Sequence, residues 1–164
     1  MALPAGSALA SIETSPLAVA LRDSHWIHSS VAALHLTGVA LLFGSIAVLD
    51  LRLLGLGRSI SARRLSAHVL PWTLLGFVII VPSGLTLFIA HASDYIASTL
   101  FAVKMSLIFA AGCNAALFHA AAAGGMAARD SDAPPPWAAR AAGAASIALW
   151  VATIACGRFL VQSS

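Results

Sequence analysis

Residues 26–57 read WIHSSVAALHLTGVALLFGSIAVLDLRLLGLG, and this stretch decides the fold class. Between Trp26 and Leu49 there is no Asp, Glu, Lys or Arg. At 1.5 Å per residue that run makes about 36 Å of helix, enough to cross a bilayer. His28 and His35 lie seven residues apart inside it and share one helix face, which Gly38, Leu42 and Ser45 continue. Charge returns at Asp50-Leu51-Arg52, where the first helix is expected to stop.

Composition extends this reading to the whole chain. Of 164 residues, 60% are hydrophobic and only 9% charged, against roughly a quarter charged in a soluble domain. Mean hydropathy is +0.92. So little charge cannot cover a water-exposed surface, and the class is integral membrane. The net charge of +3 comes from arginines in loops, which set topology and give no footprint for nucleic acid. Cys113 and Cys156 form neither a CxxC motif nor a disulfide framework.

Taken in order, residues 1–25 are small, polar and proline-punctuated, without the basic and apolar regions of a secretory signal. Pro16–Leu21, capped by Ser15, can form a short interfacial helix. Four spans are expected at about 26–49, 68–90, 100–124 and 141–160, within a single domain from 26 to 164. Pro71 and Pro82 fall in the second span, where a kink is expected before Pro82. Residues 91–95 form a turn, and residues 125–139, with Asp130, Asp132 and three consecutive prolines, form a loop. The predicted fold is all-α, a four-helix transmembrane bundle of up-down topology.

Arg52, Arg58, Arg63 and Arg64 follow the first span, and Arg129 and Arg140 follow the third. The positive-inside rule puts these loops in the cytoplasm and both termini outside, a multi-pass protein of a bacterial inner membrane with periplasmic termini. Trp26 and Tyr95 then mark the outer interface, Trp72 and Trp137 the inner one.

Six histidines in so apolar a chain are the main chemical signal. Opposed histidines at matched depth are what a bis-histidine haem b needs. Two pairs are conceivable: His28 or His35 with His91 on the outer side, and His68 with His119 on the inner side. His25, His68 and His91 sit at span ends, where a histidine needs no ligand. His35, about 13 Å below Trp26, and His119 lie inside spans, where an ionisable side chain is costly and needs a partner.

Other polar residues supplement the histidines. Asn114 can hydrogen-bond across helices, or meet a haem propionate, a quinone carbonyl or a ligand histidine. Ser146, Trp150, Thr153 and Gly157 share one face that should point inward, with Trp150 able to flank a planar cofactor. Arg158 can meet propionates or phosphate headgroups, and Lys104 can snorkel. Asp50 at a helix C-terminus opposes the macrodipole, so either an arginine (Arg52, Arg63 or Arg64) pairs with it or the helix end is solvated with Arg52 among the headgroups. Copper is the alternative to haem, held by His35 or His119 with Cys113 or Met105. No hydrolase, metalloprotease or phosphate-loop motif occurs, and no pair of carboxylates lies within the spans.

The run from His35 through Gly38 to DLRLLGLG, then LPWTLLGF, SGLTLFIA, FAVK at 101–104, Asn114 with Phe118-His119, and finally Ser146, Trp150 and Gly157-Arg158, resembles a family of small four-helix bacterial membrane proteins. That family is known only as a domain of unknown function. The resemblance covers about residues 26–160 and implies the four-span fold. It singles out His35, Asp50, Arg52, Lys104, Asn114, His119 and Arg158; His28, His68 and His91 are outside its pattern.

Three functions follow as expectations. The first is a non-enzymatic membrane redox module, binding haem b through His35 or His119 and passing electrons between quinone and an outer partner protein. The second is a copper-handling or other metal-handling membrane protein. The third is a membrane anchor or assembly subunit, in which small-residue faces on the second and fourth spans also permit a homodimer.

Overall fold

The computed structural model describes residues 5–57, 59–123 and 135–163, and every regular element among them is a helix. Seven helices follow in order: α1 (Ala5–Glu13), α2 (Pro16–Asp23), α3 (His25–Leu54), α4 (Ala62–Ala90), α5 (Ala92–Ala97), α6 (Thr99–Ala123) and α7 (Trp137–Ser163). Four of them, α3, α4, α6 and α7, are long and apolar enough to cross a membrane. In the most apolar stretch of α6 only 6% of residues are buried inside the protein, so its apolar side chains require a lipid-like surrounding.

The first span is longer than expected. α3 continues through Asp50 and Arg52, and Gly55 ends it in the left-handed conformation (φ 106°). The Gly55 N–H donates to the Arg52 carbonyl and the Leu56 N–H to that of Leu51, closing the last turn. The expected charged stop is therefore a buried part of the helix: Asp50 is 5% and Arg52 7% exposed. Likewise, α4 starts at Ala62 behind Ser61, whose hydroxyl accepts from the Arg64 N–H, so His68 is interior to the helix. It runs without interruption past Pro71 and Pro82. The expected turn at 91–95 is mostly the short helix α5, and α7 begins at Trp137, four residues before the expected span. Arg58 and residues 124–134 of the expected loop, with Arg129, Asp130, Asp132 and Pro134, lie outside the described residues.

α3 packs most extensively on α4, α6 packs on α7, and α3 meets α7 to join the pairs. The α3–α4 seam is a succession of antiparallel contacts. The Ser45 and Thr73 hydroxyls hydrogen-bond at 2.9 Å. Gly76 then lies so close to Leu42 that an added Cβ would be 2.7 Å from the Leu42 backbone nitrogen. Gly38 faces Ile79 and Ile80, and His35 reaches Ser83. Small residues of this kind let backbones approach, which supplies the packing that lipid-exposed helices need. α6 and α7 are antiparallel as well: the Asn114 amide donates to the Ala142 carbonyl (3.1 Å), and Lys104 meets Gly157.

At the end of the bundle near the α4–α6 connection, α1 and α2 pack over α3, α4 and α5. Ser15 caps α2 by accepting from the Ala18 N–H, with Pro16 at the first helical position. Ala18 and Leu21 on α2, with Ala90 and Ala92 beside them, are essentially inaccessible. Arg22 donates to the carbonyls of Ala90 (2.8 Å) and Glu13 (2.6 Å). The Glu13 carboxylate accepts from both the N–H and the hydroxyl of Ser93. Those two bonds hold the exposed Glu13 carboxyl below its usual range.

Candidate functional site

α4 and α6 do not close the ring of helices. Near the α5 end they are joined by the stacked rings of Phe88, Tyr95 and Phe101, with centroids 5.6–6.1 Å apart. Beyond this staple a cavity of about 630 Å³ opens between them, with α3 and α7 forming its other walls. That volume is within the range of about 300–1,000 Å³ typical of small-molecule and cofactor sites. Phe77, Phe118, Phe109 and Trp150 contribute rings to the lining. Leu70, Phe77 and Phe109 are 47–75% exposed, so the walls reach the apolar outer surface and the cavity communicates with it laterally.

Polar groups line the same space: Asp50 from α3, Ser66 and Thr73 from α4, Asn114 and His119 from α6, and Ser146 from α7. The Ser146 hydroxyl hydrogen-bonds to the buried Asp50 carboxyl group, whose Oδ2 has no hydrogen-bond partner among the described residues. Gly143 allows this approach, because an added Cβ there would lie 3.1 Å from the Asp50 carbonyl oxygen. Arg52, one residue past the adjacent Leu51, turns away and donates from Nε to the Ile60 carbonyl at 2.6 Å. The expectation of a solvated helix end with Arg52 among headgroups is thus replaced by two buried charged side chains with separate partners.

His35 is held apart from this cavity. Its Nδ1 lies 3.0 Å from Ser83 Oγ, and its Cε1 would be 3.0 Å from a Cβ placed on Gly84. The Ser83 hydroxyl also bonds to the Ile79 carbonyl at 2.6 Å, and the His35 ring hydrogen-bonds to the Ile80 backbone, so the imidazole is anchored to α4. Lys104 is within electrostatic reach of His35, while His119 lies fifteen residues further along α6, about 22 Å by helix rise. His35 and His119 therefore do not face one another.

The remaining candidates are dispersed. His28 is half-buried on α3, and His68 is exposed on α4 and absent from the cavity lining that contains His119. His91 occupies the position before α5 with its ring edge-on to Tyr95 (6.4 Å). His119 itself packs edge-on to Phe118. Cys113 lines the cavity, but Met105 is exposed elsewhere on α6, and Arg158 is exposed near the end of α7. Among the described residues no three His, Cys, Asp or Glu side chains gather into a group able to hold a metal ion. On α7, Ser146 and Thr153 are buried, Trp150 lines the cavity and Gly157 faces Lys104, so the face read from their spacing is turned inward. Ser83 escaped the reading of single residues, although its seven-residue spacing from Gly76 is the signal that places it on the α3-facing side.

Fold and lining together define a helical protein with four membrane-length helices and a cavity that opens onto its apolar outer surface. The chain belongs to the DUF6644 family, described as a family of unknown function, which it matches over residues 12–163. No curated protein and no solved structure matches it.

Proposed function

We propose that the protein is a membrane redox module of up-down topology whose cavity between α4 and α6 takes the ring of a quinone from the bilayer. The observation that carries this reading is the cavity itself: aromatic and aliphatic walls, a lateral opening, and a few polar groups around Asp50, Asn114, His119 and Ser146. A quinone is apolar apart from two oxygens, which matches a lining of that composition. Trp150 and the phenylalanines supply stacking surfaces. His119 and Asp50 both line the cavity, and in this reading His119 donates to a quinone oxygen while Asp50 exchanges a proton at its carboxyl group.

Haem b on His35 is the second element of this reading, favoured by the bond to Ser83 that orients the imidazole. When bound, haem b supplies one-electron chemistry. His35 and His119 act as separate sites in this arrangement, each offering one ligand at most to a given iron. A copper site would have to draw its donors from scattered side chains and is the weaker alternative.

The test is co-extraction. Protein purified in mild detergent from quinone-replete membranes is extracted and its quinone quantified by chromatography, with absorption spectra and metal analysis of the same sample. Wild type is expected to retain quinone, and Gly112→Phe, which adds a ring on the cavity wall where nothing lies within 4 Å of an added Cβ, to retain at least tenfold less. Quinone no more abundant than in an unrelated four-span protein refutes the assignment. A Soret band lost in His35→Ala supports haem b there; a colourless sample with stoichiometric copper supports the metal alternative.

A further inference from the structure

Asp50 and Asn114 meet the same turn of α7. Gly143 lets α3 come close, since a Cβ added there would lie 3.6 Å from the Asp50 Cα and 3.1 Å from its carbonyl oxygen. One residue earlier, the Ala142 carbonyl accepts from the Asn114 amide at 3.1 Å. Both side chains line the cavity. Its wall therefore carries two polar groups, one from α3 and one from α6, at a single level of the bundle.

What these groups have left to offer decides what fits beside them. Asp50 is 5% exposed, and its Oδ2 has no hydrogen-bond partner among the described residues. A buried oxygen in that position calls for a donor from outside the chain. Asn114 commits its nitrogen to Ala142, which leaves the amide oxygen to accept. Thr73, on the α4 wall, spends its hydroxyl hydrogen within the helices, on the Val69 carbonyl or on Ser45. What remains at these three side chains is mainly acceptor capacity. A quinone carbonyl only accepts, whereas each hydroxyl of the reduced ring, the quinol, donates as well. A hydroxyl suits the Asp50 oxygen in either protonation state, donating to the carboxylate or accepting from the acid; a carbonyl suits the acid alone.

We propose, on the basis of the quinone reading of this cavity, that it selects one redox form: it binds the quinol in preference to the quinone, a ring hydroxyl being held by Asp50 and Asn114 at the Ala142–Gly143 turn. The aromatic walls hold the ring in both forms, so the choice between them lies with the two acceptors.

The full chain in detergent is titrated anaerobically by isothermal calorimetry with a short-chain benzoquinone, its quinol, and the dimethyl ether of that quinol, which keeps the ring but has no O–H. Wild type is expected to bind the quinol at least about tenfold more tightly than either of the others, the worth of one buried hydrogen bond. Asp50→Asn puts an N–H donor where a carboxyl oxygen stood and should bring quinol and quinone within about threefold of each other. Wild type that binds the quinone or the ether as tightly as the quinol overturns the preference and leaves the quinone reading standing. An undiminished preference in Asp50→Asn also overturns the proposal. Saturable binding of none of the three ligands overturns both. Should Asp50→Asn not fold, the three ligands compared on wild type decide.

Discussion

His35 Nδ1 on α3 lies 3.0 Å from Ser83 Oγ on α4 in a hydrogen bond, and Ser83 Oγ also bonds to the Ile79 carbonyl at 2.6 Å. This chain of hydrogen bonds ties together the two most extensively packed helices. Hydrogen bonds between membrane helices contribute about 0.6 kcal/mol on average and at most about 1.7 kcal/mol. A double-mutant cycle of His35→Ala and Ser83→Ala should give a coupling in that range, measured by unfolding in detergent. Strict additivity of the two substitutions would contradict the bond.

The α3–α4 seam should be intolerant at Gly76 and tolerant at Gly44. Adding a methyl at Gly76 meets the Leu42 backbone at 2.7 Å, which cannot yield as a side chain can, so Gly76→Ala is expected to cost about 1–3 kcal/mol. Gly44 has nothing within 4 Å of an added Cβ, and Gly44→Ala should be neutral or stabilising by up to about 1 kcal/mol through helix propensity. Thermal unfolding of the two variants side by side checks the contrast.

The amino-terminal clasp should respond to acid. Two hydrogen bonds from Ser93 lower the folded-state pKa of Glu13 below the usual 4.5, so their contribution is fully present above that value. It is lost as pH falls through the lowered folded value. Amide exchange in residues 9–23 should therefore be slow at neutral pH, after correction for the intrinsic rate, and faster once the pH is taken well below 4.5. Glu13→Gln should reduce the pH dependence and show faster exchange already at pH 7. Exchange indifferent to both pH and substitution would exclude this role for Glu13.

Much of the fold could be read from the chain because charge is so scarce: uninterrupted apolar runs mark α3, α4, α6 and α7 directly. Their ends were less legible. The end of α3 followed Gly55 and not the first charged residue, because Asp50 and Arg52 find partners inside the protein and need no water. The inward face of α7 followed from the spacing of Ser146, Trp150, Thr153 and Gly157. The cavity did not follow from sequence, since it depends on α4 and α6 standing apart, a relation between helices that no periodicity records. Nor did the separation of His35 from His119, because composition counts histidines without fixing which neighbour each one meets.

The most direct measurement concerns Trp150, whose ring lines the cavity. Trp26, Trp72 and Trp137 are 83%, 52% and 81% exposed and can be replaced by phenylalanine without entering the core, leaving Trp150 as the sole tryptophan. This variant is titrated with a short-chain quinone, which quenches indole fluorescence on contact. A bound quinone predicts quenching that saturates and is lost when Gly112→Phe is added. Quenching that rises linearly with quinone, equally in both proteins, would show that the ring does not occupy the cavity.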